Sequence, residues 1–146
     1  MSADNFDIDL GNPAVAGVFF IPERDGDVLD ALDERARSSD ALVLRANLSG
    51  CRDKGDLLRR LVDTFDLPGY FGHNWDALSD SLADLEWLEA DGYVLLLDHA
   101  GDLREAAEAD FETFIEILDD TAETWRERDI AFFSFVALRS TSSSAA

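Results

Sequence analysis

Four short runs rich in aromatic, β-branched and leucine residues, Gly17–Ile21, Ala41–Ala46, Tyr93–Asp98 and Ile130–Val136, are separated by stretches long enough for helices. Most of the runs are nearly continuous in apolar residues rather than alternating, as expected of parallel strands covered on both faces. The intervening stretches 26–38, 53–65, 74–88 and 109–127, with a short one near 102–107, carry helical periodicity. Val28, Leu29, Leu32 and Ala36 give the first an apolar face; Leu57, Leu58, Leu61, Val62 and Phe65 do so for the second; Phe111, Phe114, Ile115 and Leu118 serve the last. Strands joined by helical crossovers predict an α/β fold: a small, mostly parallel sheet of three to four strands packed with helices, each crossover right-handed. The chain shows no repeat and no interior linker, so one domain is expected over residues 14–138. The acidic residues 1–13, ending at Pro13, read as a flexible arm, and residues 139–146 as a flexible Ser-rich tail.

Composition narrows the partners. With 47% apolar residues and 10% aromatics, a chain of 146 residues can bury a core. Its net charge of -20 repels nucleic acid and anionic membranes over a Debye length, so neither is expected as a partner. A cationic protein is. The same acidity also serves solubility, and net charge alone says nothing about fold. Cys51 is the only cysteine, so no intrachain disulfide is expected. The N-terminus lacks the basic and apolar regions of a secretory signal, and no apolar run approaches the ~18 residues needed to span a membrane. A cytoplasmic protein is expected.

The negative charge is local. Between Arg60 and Arg104 there is no Lys or Arg, while residues 61–103 hold ten Asp or Glu. Within this gap Asn74 is suited to cap a helix, on which Asp76, Asp80 and Asp84 follow at i, i+4 and i+8 along one side, with Leu78, Leu82 and Leu85 opposite. Like charges at this spacing cost about 0.2–0.5 kcal/mol per pair in an isolated helix, so local stability does not explain the row. The helix dipole favours Asp76 in the first turn; for Asp80 and Asp84 the alternatives are a solvated face and a partner outside the helix. Before the helix, Leu67-Pro68-Gly69-Tyr70-Phe71-Gly72 places two adjacent rings between two glycines. One ring can turn into a core while the other points outward, and Tyr70 is the candidate for the outward position, where rings beside carboxylates make binding anchors. Trp75 either extends this surface or covers the core edge.

At these residues the chain resembles the barstar family, intracellular protein inhibitors of guanyl-specific microbial ribonucleases. Pro68, Tyr70, Phe71, Gly72, Asn74, Asp76, Ala77, Leu78, Asp80 and Leu82 follow the family's order of proline, two aromatics, glycine, asparagine and an Asp-Ala-Leu helix start. The resemblance runs from about Ala41 to Val136 and leaves residues 17–38 as an N-terminal βα addition to the family core. It implies a binding protein rather than an enzyme, without cofactor, metal or small-molecule substrate, that forms a 1:1 complex with a basic microbial ribonuclease. Tyr70, Gly72 and Asn74 match contact positions in the loop, Asp76 a flanking acid, and Asp80 the carboxylate that takes the place of a substrate phosphate. Near the end of the 109–127 helix the family has another interface acid, matched by Asp120, with Asp119 the neighbouring alternative. Ser79 stands where the family's namesake has tryptophan, His73 replaces an acid, Trp75 replaces an aliphatic residue, and Asp84 has no acidic counterpart. Ser79, His73 and Trp75 are therefore positions at which this chain's target preference can differ, while Asp84 either extends the acidic surface that meets the partner or faces water.

Other classes stay open at this point. An immunity protein for a different cationic nuclease toxin would use the same negative surface. An enzyme could draw on His73 with Asp76, or on His99 beside Asp98, but Cys51 has no evident base and no Gly-rich phosphate loop or zinc spacing is present. Asp25-Gly26-Asp27 is too short for a calcium loop.

Overall fold

Each of the four apolar runs forms a strand, and all pair in parallel. The structure, a computed structural model, describes residues 9–22, 27–67, 74–85 and 88–138. After a 3-10 turn at Pro13–Val15 come β1 (Val18–Pro22), α1 (Asp27–Ser38), β2 (Leu42–Asn47), α2 (Lys54–Phe65), α3 (Trp75–Asp84), β3 (Gly92–Asp98), α4 (Gly101–Ala106), α5 (Glu108–Arg126) and β4 (Ala131–Leu138). The strand order is β1-β4-β3-β2. The chain therefore builds an α/β fold on a four-stranded parallel sheet, and the N-terminal βα unit contributes an edge strand paired to β4, with Val18 opposite Ser134.

Side-chain alternation along the two central strands sorts the core into two layers. Tyr93, Leu95 and Leu97 of β3 and Phe132 and Val136 of β4 point into the larger layer, shared with Leu57, Leu61 and Phe65 of α2, Leu78 and Leu82 of α3, Leu103 of α4, and Phe114 and Leu118 of α5. Val94 and Leu96 of β3 with Phe133 and Phe135 of β4 point the other way, onto Leu29, Leu32 and Ala36 of α1. Phe19 of β1 stacks on Phe133 and Phe135, with centroids 6.1 and 5.4 Å away. Burial on both faces is why these strands read as continuous apolar runs. Of the acidic arm expected over 1–13, the described part begins at Asp9, and there Leu10 is buried in the α1 layer. The core reaches back to that residue.

Arginines tie the layers together. Arg45, on the edge strand β2, meets Asp98 of β3 through two bonds of 2.8 and 3.0 Å and reaches Asp30 and Asp33 of α1 at 2.9 and 3.3 Å. The hydrogen bonds to Asp98, foremost, hold its guanidinium charged, against the pull of burial. Arg60 donates to the carbonyls of Asn47 and Ser49 and to Asp56, fixing the loop into α2; that bond to Asp56 is the main reason the carboxyl lies below its usual range. Arg126 donates to the carbonyls of Pro13 and Ala16 and so anchors the 3-10 turn.

One buried polar atom has no such partner. Ser134 lies in β4 with 1% of its surface exposed, and among the described residues nothing bonds its Oγ. A buried unpaired hydroxyl costs about 1–3 kcal/mol of desolvation, so Ser134→Ala is expected to stabilise the protein by about 1 kcal/mol, the remainder being lost to the small void. Denaturant titration of the two proteins measures this; a loss of stability would show that the hydroxyl is bonded.

Candidate functional site

Helix α3 begins as its sequence demands. The Asn74 side chain accepts from the Ala77 amide at 2.7 Å, and its carbonyl accepts from Leu78. The apolar side of the helix, Leu78 and Leu82, is fully buried. Asp76, Asp80 and Asp84 are exposed on the other side, successive positions rising about 6 Å along the axis. The helix was expected to run to residue 88. It ends at Asp84, because Leu85 turns into the left-handed region with φ of 47° while its side chain stays buried and its amide closes on the Ser81 carbonyl.

The three aspartates differ from most acids near an arginine. Asp30, Asp33, Asp56 and Asp98 each face a guanidinium. Among the described residues, no hydrogen bond or ion pair engages the carboxylates of Asp76, Asp80 or Asp84. Their charge is presented to solvent, in a region whose sequence supplies no cation between Arg60 and Arg104.

Both ends of α3 are held by aromatic residues carrying a cation. Trp75, the first helical residue, is half-buried: it packs on the larger core layer and keeps part of its surface exposed. The Nζ of Lys54, at the start of α2, lies 5.3 Å from its ring centroid, within the range of a cation–π contact. At the other end the Trp125 indole donates to the Leu82 carbonyl at 2.8 Å, and Arg128 donates to the Ala83 carbonyl at 2.6 Å while its guanidinium carbon sits 4.6 Å over the Trp125 ring. Carbonyls in the last turn of a helix have no partner within it, and a cation there suits the dipole. Except for Arg128 over Trp125, three residues apart, these contacts link residues 21 and 43–45 positions apart, which no local pattern in the sequence announces.

The other expected site residues fall as follows. Ser79 is partly buried on α3. Asp120 is exposed on α5, the helix whose Trp125 holds α3; Asp119 is exposed as well, so exposure does not choose between them. Tyr70 and Gly72, with the rest of 68–73, lie outside the described residues. A feature missed from sequence is the outer side of α5, where Glu108, Glu112, Glu116, Asp119, Glu123 and Glu127 are all exposed and fall on one side of the helix.

Cys51 is fully buried, and burial, reinforced by the charge of Asp56, pushes its thiol up, which disfavours the reactive thiolate. Among the described residues no group of three or more His, Cys, Asp or Glu is arranged to hold a metal ion, and no helix is long and apolar enough to cross a membrane.

The family described as Barstar (barnase inhibitor) matches residues 41–137. The chain belongs to the barstar family. The match covers β2 to β4 and all of α3, and begins after β1 and α1, so the barstar core is the part of the fold that carries the aspartate row. A search of the curated proteins gives no match.

Proposed function

We propose that this barstar-family protein is a cytoplasmic inhibitor of a basic, guanyl-specific ribonuclease of the extracellular type, and that it acts by occlusion in a 1:1 complex. The observation that carries the reading is the exposed row Asp76, Asp80 and Asp84, unpaired among the described residues, on a helix belonging to the matched core. A ribonuclease cleft is lined with cations that hold RNA phosphates; a carboxylate inserted there takes the phosphate's place and receives charge-assisted hydrogen bonds. Asp80, in the middle of α3, fills that role, with Asp76 pairing beside it. Asn74 and the preceding Tyr70 and Gly72 supply the loop contacts, and Asp120 a further acid from α5. One such pair at 4 Å is worth roughly 4 kcal/mol at an effective dielectric near 20, before desolvation. Two or three would dominate affinity.

Titrating a guanyl-specific ribonuclease with this protein is expected to abolish RNA cleavage with an endpoint at one equivalent. Full activity at a large excess, across several such enzymes, would contradict the reading. A basic nuclease of another class, inhibited in the same assay while the guanyl-specific enzymes are not, would favour an immunity protein for a different toxin.

A further inference from the structure

The two cations that hold α3 are an odd choice for a helix that presents negative charge to a cationic partner. Lys54 is the chain's single lysine, yet it stands over Trp75, directly before Asp76. Arg128 reaches the Ala83 carbonyl, directly before Asp84. Each subtracts from the negative field at one end of the aspartate row, so neither is placed for attraction. What both contacts do is fix the ends of a helix of 10 residues against α2 and α5. From these placements we infer that Lys54 and Arg128 are positioning residues: through the rings of Trp75 and Trp125 they set the orientation in which Asp80 and its neighbours meet the partner, and the protein accepts a weaker field in exchange for a fixed helix. The inference rests on the reading of α3 as the inhibitory element. A charged anchor binds tightly only when held close to its bonding geometry, because ordering it during association costs affinity.

Charge and position predict opposite signs, which makes the inference testable. Lys54→Met and Arg128→Met each remove a positive charge from a protein of net charge -20. If these residues acted only through the field, both substitutions would speed association and tighten binding to a basic ribonuclease. As positioning residues, they leave association unchanged or faster and accelerate dissociation, by about 3-fold each and about 10-fold together. Lys54→Arg, which keeps a cation over the indole, restores the slow dissociation. Stopped-flow and surface-binding kinetics with a guanyl-specific ribonuclease read both constants. Unchanged or slower dissociation in the double variant overturns the inference. Failure of the wild-type protein to bind any such enzyme counts against the inhibitor reading itself; amide hydrogen exchange of the free protein then decides the positioning role. The double variant is expected to exchange the Leu78 and Leu82 amides about 10-fold faster relative to Leu95 and Leu96 of β3. Equal acceleration in α3 and β3, or none, would mean that the two cations do not hold this helix in particular.

Discussion

A chain beginning at residue 41, the start of the family match, is expected not to fold cooperatively. Removal of β1 and α1 strips Leu29, Leu32, Ala36 and Phe19 from the second sheet face and uncovers Val94, Leu96, Phe133 and Phe135, which the intact protein buries completely. Each large apolar side chain of this kind contributes about 1.5–3 kcal/mol when buried, so the four together amount to roughly 6–12 kcal/mol. A domain of this size is stable by only about 5–15 kcal/mol. The deletion also strips Arg45 of Asp30 and Asp33, two of the carboxylates grouped around it. Calorimetry of the 41–146 fragment is expected to show no cooperative transition, with dye binding to exposed apolar surface. A fragment that melts as a single transition near the full-length temperature would show that the βα unit is an accessory rather than a layer of the core.

Asp80→Ala is expected to weaken binding to the target ribonuclease by at least ~2 kcal/mol, about 30-fold, as for a central charged anchor. The free protein should be little changed. Asp80 is exposed on α3 and engaged in no bond among the described residues, and its loss relieves repulsion from Asp76 and Asp84 at i–4 and i+4. The substitution thus separates binding from folding: affinity falls while the melting temperature holds or rises. A loss below about 0.5 kcal/mol would mean that another carboxylate takes the phosphate position. Asp84→Ala serves as the comparison, because it removes the same charge at the far end of the row.

Much of this was legible in the sequence because the controlling forces are local or compositional. Strands buried on both faces show as unbroken apolar runs, and all four candidates became strands of one parallel sheet. Asn74 caps α3 and the aspartates lie on its exposed side, as the spacing implies. What the sequence concealed depends on contacts between distant positions. Helix α3 stops at Asp84, where Leu85 takes a left-handed backbone conformation, although the periodicity continues beyond it. Leu10 sits in an acidic, polar segment, and only the folded layer it joins gives it something to pack against. Lys54 lies over Trp75 from 21 positions away, and Trp125 and Arg128 bond the Leu82 and Ala83 carbonyls across 43 and 45 positions, so no short pattern reveals these contacts. Spacing located the row of acids and the family resemblance implied a role for it, but its mounting by Trp75, Trp125, Lys54 and Arg128 shows only in the fold.

The claim that α3 stands in for RNA phosphate is tested most directly by competition. Binding of the wild-type protein to a guanyl-specific ribonuclease should be measured with and without a guanosine monophosphate that fills the enzyme's phosphate site. The account predicts mutual exclusion, with the apparent Kd rising in proportion to nucleotide once the site is saturated. An apparent Kd that stays constant as nucleotide is raised would show that the protein binds elsewhere on the enzyme and would contradict it.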